Sequence, residues 1–261
     1  MIQFNLNRFG KLVQWSLTYD KRYYVKSFLQ ILVIMLLGFL FFPMLNKSNH
    51  AVGYTMSSIM VAAIFLVTIV LGSSFMFYSM ENEHDRQNLM MLPASNFEKY
   101  LIRYVTWLFL IPLYLVAFFS ADLLQYVIHW LLGHDYAAFV TTSTLTDSVS
   151  DTWHQIPAEA KRIIINTLLV LVIWFHSIYA LGATFFRSRK YNWVLTTIVI
   201  ILLTIVQGWI LPFDDPTLYK ETTTMDIVIA DVVAGLWVVL NFWLSYKLFC
   251  RTQVIGKFIN L

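Results

Sequence analysis

The chain has little charge and almost no cysteine. Asp, Glu, Lys and Arg supply 13% of its 261 residues, against about 25% in an ordinary soluble domain. Hydrophobic types reach 59%, and the mean hydropathy is +0.66. A soluble core cannot absorb that much apolar surface, so the excess faces lipid, and no length remains for a separate catalytic domain. The single cysteine, Cys250, excludes an internal disulfide, so the outer loops carry no staple. Motifs for chemistry are missing as well. No Gly-rich run leads into Lys-Ser/Thr, so there is no loop to cradle phosphates. No Gly-x-Ser-x-Gly, no His-Glu-x-x-His and no adjacent glutamates of an intramembrane protease occur. The alternating pattern of a membrane β-barrel is absent. No cleavable signal peptide is expected: the first apolar run starts only after Lys26, is too long for a signal core and lacks a small-residue cleavage site.

What is there is a series of apolar runs. About 20 apolar residues cross a bilayer as a helix. Six runs qualify: Ser27–Leu45, Tyr54–Tyr78, Tyr104–Leu132, Ile163–Phe186, Asn192–Leu211 and Ile227–Phe249. Backbone groups in lipid must bond within their own segment, so each run is expected to be a helix. The third run is long and holds Pro112 and Asp122, so it should kink near Pro112 and project past the outer surface. Of 18 Lys and Arg, 14 fall in segments that lie on one side if all six runs cross, and ten of 15 acids fall on the other. Basic residues favour the cytoplasmic side. The reading is an all-α, six-span protein of the cell membrane, one transmembrane domain over residues 1–261, with both termini cytoplasmic.

Two flanking segments have a character of their own. In the arm over residues 1–26, Ile2, Leu6, Phe9, Val13 and Leu17 recur at helical spacing, which predicts an amphipathic helix lying in the headgroup plane. The loop over 133–162 is polar and irregular, and Trp153, Ile156 and Pro157 in it can fold back onto the bilayer surface. Trp107, Trp130, Trp193 and Trp209 fall near run ends and fit the interfacial belts.

The cytoplasmic stretch over 79–103 carries the most information. Glu81, Glu83, Asp85 and Arg86 open it, and the apolar cluster Leu89-Met90-Met91-Leu92 follows in a loop that should be wet. Pro93 disfavours helix at Leu92. Ser95 and Glu98 match a capping box, which starts a fresh helix. Exposed Leu and Met beside charges suit a protein contact. The alternative is a tight connector whose apolar residues dip into the headgroups.

This stretch resembles the coupling segment of the type-2 family of ABC exporter permeases. There a charged stretch after the second span runs into a Leu-rich turn, then a Leu-Pro-x-Ser-like motif, then a basic residue opening the third span. The matching parts are Glu81–Arg86, Leu89–Leu92, Leu92-Pro93-Ala94-Ser95 and Glu98-Lys99. The six-span layout and amphipathic arm are similar too. One feature differs: the large outer loop follows span three, not span five. The resemblance implies a transport subunit that is not itself an enzyme. It would bind no cofactor, and a partner ABC ATPase would use ATP and Mg. It also implies a homodimer or a heterodimer with a second permease, in contact with membrane lipid and not nucleic acid. The residues expected to meet the ATPase are Glu83, Asp85, Arg86, Leu89, Met90, Leu92, Ser95 and Glu98.

Polar groups inside the runs are the other candidates. His176 lies mid-span, where ionisable groups are costly and often functional. It is read either as a group on a substrate path or as a neutral imidazole bonded to a neighbouring helix. Asn166, Gln207 and Asn241 carry the same two readings. Asp122 and Asp231 are expected at the outer rim, in reach of water. Gly72-Ser73-Ser74, Ala180 with Gly182-Ala183, and Ala230 with Ala234 mark faces where helices can approach closely. His129, His134, Asp135 and His154 share the outer side without the spacing of a zinc site. A small intramembrane lipid-modifying enzyme, with His176, Asp122 or Asp231 as general base, and a non-transporting scaffold or sensor are the alternative functions.

Overall fold

The structure is a computed structural model that describes residues 4–46, 48–80, 83–142, 156–186, 191–210 and 224–251. It is all-helical, with no strand among the described residues. Five helical stretches are long and apolar enough to cross a membrane, so the chain has the architecture of a multi-pass membrane protein. The described helices are α1 (Leu6–Tyr19), α2 (Lys21–Leu45), α3 (His50–Leu71), α4 (Glu83–Met91), α5 (Asn96–Leu108), α6 (Leu110–Leu131), α7 (Ala158–Phe185), α8 (Asn192–Ile210) and α9 (Thr224–Cys250), with a 3-10 stretch over Gly72–Met80.

The chain divides into two compact units. One comprises Leu12–Thr68 and Val105–Arg162. In it α2 and α3 form a hairpin, and α6 lies along α2 in the same direction: Tyr24 bonds the Thr106 carbonyl near one end, and Phe39 meets Phe118 edge-on further along. Met35, Phe39, Tyr54, Val61, Phe118, Ala121 and Val140 form its core. The outer faces of α2 and α6 stay apolar and exposed, as at Val33, Leu37, Phe41, Phe119 and Leu123. A helix that is apolar all round needs lipid on the side its neighbours leave open.

The other unit comprises Met1–Lys11, Ile69–Tyr104 and Ile163–Leu261. In it α7 and α9 run side by side in one direction, joined by Asn166–Asp231, Asn241–Ser177 and Ser245–Ala180 hydrogen bonds. Helix α8 packs antiparallel to α7 where Gly182 leaves room for Thr196; a Cβ there would overlap the Thr196 hydroxyl. Ala180 and Ala183 are buried on that face, as the small-residue pattern predicts. On the face of Ala230 and Ala234, Ala230 is exposed and Ala234 half-buried, so that face is only partly covered.

Two expectations need correction. The second run is not α-helical throughout, because it passes into 3-10 geometry at Gly72. A 3-10 run of nine residues is long. Carbonyls in it and just before it are drawn to side chains: Ile69 to His176, Ser74 to Asn192 and Met76 to Arg103. The third run is interrupted at Phe109, one turn before Pro112, where the kink is expected, because the proline ring clashes with the carbonyl four residues back, at Leu108. Trp107 is no belt residue: it is buried and donates to the Thr68 carbonyl. Trp130 and Trp193 are exposed, as a belt requires; the Trp209 side chain, Ile2 and Trp153 lie outside the described residues.

The α2–α3 hairpin supplies a test. A Cβ on Gly53 would sit 2.5 Å from Pro43 Cα and 2.7 Å from the Phe42 carbonyl oxygen, both backbone atoms that cannot move aside. Gly53→Ala should therefore destabilise the protein by about 1–3 kcal/mol or more. Gly10→Ala, which meets nothing within 4 Å, should be neutral or stabilising. Thermal unfolding in detergent measures both. Equal melting points would remove the close approach from the account.

Candidate coupling site and polar interior

Helix α4 ends at Met91 and α5 begins at Asn96, so the break falls where Pro93 and the capping box place it. The box forms in both directions: Glu98 N–H donates to Ser95 Oγ at 3.2 Å, and Ser95 N–H donates to Glu98 Oε2 at 2.7 Å. Lys99 Nζ reaches back to the Met90 carbonyl at 2.6 Å and closes the C-terminus of α4, where a cation suits the exposed carbonyls. Bonds from Leu92 N–H to Leu89 O and from Ala94 N–H to Leu92 O tighten the turn.

The apolar cluster is split by this geometry. Leu89 is 1% exposed and faces inward, while Met91 is 77% exposed. Met90 and Leu92 are half-buried. Sequence reasoning nominated Leu89 and passed over Met91, because a four-residue apolar run does not tell which residue helical rotation turns outward. Asp85 is half-buried, and the side chains of Glu83 and Arg86 lie outside the described residues.

Glu98 is not at the surface. It is 0% exposed, and besides the Ser95 N–H it accepts from Arg8 Nε at 3.0 Å, Arg8 Nη2 at 2.7 Å and the Asn5 N–H at 2.8 Å. One carboxylate thus caps α5 and fastens the N-terminal arm. Phe4 meets Phe97 edge-on beside it, and Phe97 meets Tyr246 in the same way. No local pattern could reveal the Arg8–Glu98 pair, whose members are 90 residues apart. Further along α5, Arg103 is fully buried, and its Nε donates to the Met76 carbonyl at 3.2 Å.

The arm itself forms the expected amphipathic helix. The side that is buried carries Leu12, Ser16 and then Asp20, with Ser16 Oγ 3.1 Å from Thr106 Oγ1. Leu6 is exposed, and Phe9, Val13 and Leu17 are half-buried, so the apolar stripe is left largely uncovered.

His176 has hydrogen-bond partners at both ring nitrogens. The Ile69 carbonyl faces Nδ1, which must then carry the proton, and Nε2 accepts from the Tyr104 hydroxyl at 2.7 Å. That is the wiring of a neutral imidazole holding helices together. Asn241 bonds Ser177 Oγ at 3.0 Å, and Asn166 bonds Asp231 at 2.7 Å on an exposed face. The Gln207 side chain lies outside the described residues. Of the described candidates, Asn241 therefore lies beside His176, through Ser177 and with Phe242 against the imidazole, while Asn166 is engaged elsewhere along α7.

Asp122 is no rim residue. It is buried and accepts from the Val140 and Thr141 N–H groups at 2.8 and 2.9 Å, from the Thr141 hydroxyl and from Gln125 Nε2. A carboxylate from α6 thus caps the helical turn that begins at Val140. Among the described residues no group of three or more His, Cys, Asp or Glu is placed to hold a metal ion; His154 lies outside them.

The chain matches no protein-family model, no curated relative and no solved structure.

Two outcomes are expected from this geometry. Arg8→Met and Glu98→Gln should each lower the melting point. Combined in a double-mutant cycle they should be less than additive, with a coupling energy of about 1 kcal/mol or more. Additive losses would mean the pair does not hold the arm. His176→Asn should fold with a modest loss of melting temperature, because an amide replaces one of the two imidazole bonds, and His176→Leu should lose more. Equal behaviour of the two variants would contradict the bridging role.

Proposed function

We propose that the chain is the membrane-spanning permease subunit of an ABC exporter. In this reading a separate ATPase docks on α4, the turn over Leu92–Ser95 and the start of α5. The observation that carries it is the connector itself: a short helix, a proline turn and a capped second helix, in the motif order of the family's coupling segment. The connector is closed by internal bonds and yet presents Met91 to the outside. Six crossings with both termini cytoplasmic belong to the same reading. They rest on the asymmetry of Lys and Arg, on the apolar α8 as the additional crossing, and on the alternating directions of the helices within each unit. The exposed apolar stripe of α1 would lie in the headgroups.

The mechanism follows from how the connector is tied. ATP-driven closure of the partner would push on α4. Lys99 joins α4 to α5, Arg103 joins α5 to the 3-10 stretch, and His176 joins α7 to Ile69 and Tyr104. The 3-10 stretch, with weaker bonding geometry than an α-helix, is where the displacement would be absorbed. Pairing with a second copy or a related permease would complete the path for the substrate.

The test separates docking from folding. Met91→Ala with Leu92→Ala should leave membrane insertion and melting temperature intact and abolish copurification of the ATPase, since a few anchors dominate such an interface. Leu89→Ala, which empties a buried site, should lower the melting temperature instead. A double variant that keeps its ATPase, or a wild-type protein that never has one, rejects the permease reading.

A further inference from the structure

At the end of α6 two imidazoles meet head-on. His129 is fully buried, His134 is half-buried, and their Nδ1 atoms lie 2.9 Å apart. A nitrogen–nitrogen hydrogen bond needs one proton between its ends: one nitrogen donates and the other must be bare. An imidazolium carries a proton on both nitrogens. The contact therefore exists when neither ring is charged, or when one is. When both are charged, two N–H groups point at each other across 2.9 Å and the rings must part.

The rings packed beside the pair carry no negative charge to offset a second proton. The Tyr136 hydroxyl lies 3.0 Å from the same His134 Nδ1, and burial pushes its ionisation up, so it stays a neutral O–H. From α3 the His50 ring stacks on Tyr136 with centroids 3.7 Å apart, and its Nδ1 donates to the Pro43 carbonyl of α2 at 2.8 Å. Tyr54, also on α3, donates to the Tyr136 carbonyl and accepts from the Ala138 N–H. Asp122, the carboxylate on α6, lies two turns before His129 and is engaged by the Val140 and Thr141 N–H groups, the Thr141 hydroxyl and Gln125. Asp135 is exposed.

We propose that His129 and His134 form a proton-controlled latch that holds the segment Gly133–Thr142 against α6. It is closed while the pair carries at most one proton more than its neutral state, and it is opened by the next. The sign follows from the protons bound. The closed contact admits one proton fewer than two separated rings, so the closed state binds fewer protons and closure weakens as pH falls. With one extra proton taken up on opening, the opening constant rises by at most about tenfold per pH unit. The latch is independent of the permease reading, because it needs no partner.

Hydrogen–deuterium exchange of the full-length protein in lipid nanodiscs tests it. Peptides covering Gly133–Thr142 would be followed at pH 7.5, 6.5 and 5.5 with EDTA present and with intrinsic exchange rates corrected. The wild type should open more at each step from pH 7.5 to 5.5, by at most about tenfold per pH unit. His134→Asn, which keeps a hydrogen-bonding group but cannot take a proton, should show no such dependence. His129→Gln gives the second variant should His134→Asn fail to fold. A wild-type segment equally protected at all three pH values overturns the latch. So does the same pH dependence in a folded variant, which would point to Asp122 or His50. Protection that follows added Zn²⁺ and ignores pH overturns it as well.

Discussion

A polar group buried in lipid or in a packed helical interior must find its partner within the protein, because no water is there to take its place. Much of this structure follows from that constraint. The helices answer it locally with their own backbone bonds. The 3-10 stretch over Gly72–Met80 answers it differently: carbonyls there and just before it are met by side chains, from His176, Asn192 and Arg103. That exchange lets the backbone leave α geometry without leaving the acceptors bare. It also converts a chain of apolar helices into a unit with defined neighbours, since each of these bonds names one partner where apolar packing would accept many.

The same constraint accounts for the two buried carboxylates. Glu98 and Asp122 are each close to fully buried, and both are surrounded by donors, including two backbone N–H groups apiece. Each is used at a joint. Glu98 joins the arm to the start of α5, and Asp122 joins α6 to the turn that begins at Val140. A carboxylate suits the task because its two oxygens accept several bonds at once. The connector between α4 and α5 is therefore a braced element rather than a slack loop, as a segment that transmits force would need to be.

Some features were open to reading along the chain. The amphipathic arm, the break at Pro93, the Ser95–Glu98 capping box and the interruption ahead of Pro112 all depend on residues within one or two turns of each other. Their physics is local, so their pattern is visible. The rotation of α4 was not: whether Leu89 or Met91 faces out depends on what packs beside the helix. The burial of Asp122 was missed because its partners, Val140 and Thr141, lie 18 and 19 residues away. The length of the 3-10 stretch was missed for a like reason, since the side chains drawn to carbonyls in it and just before it lie on α5, α7 and α8.

By itself the sequence determined that this is a membrane protein of apolar helices, because hydropathy over about 20 residues is a sum that needs no knowledge of neighbours. It also determined the break between α4 and α5 and the interruption before Pro112, because caps and prolines act on the nearest turn. Only the tertiary structure decided which polar groups are joints and which face outward. Arg8 with Glu98, Tyr104 with His176, and Ser73 with the His176 carbonyl are pairs separated by 90, 72 and 103 residues. A hydrogen bond is set by distance in space, and helix packing brings such residues together without leaving any periodicity in the chain.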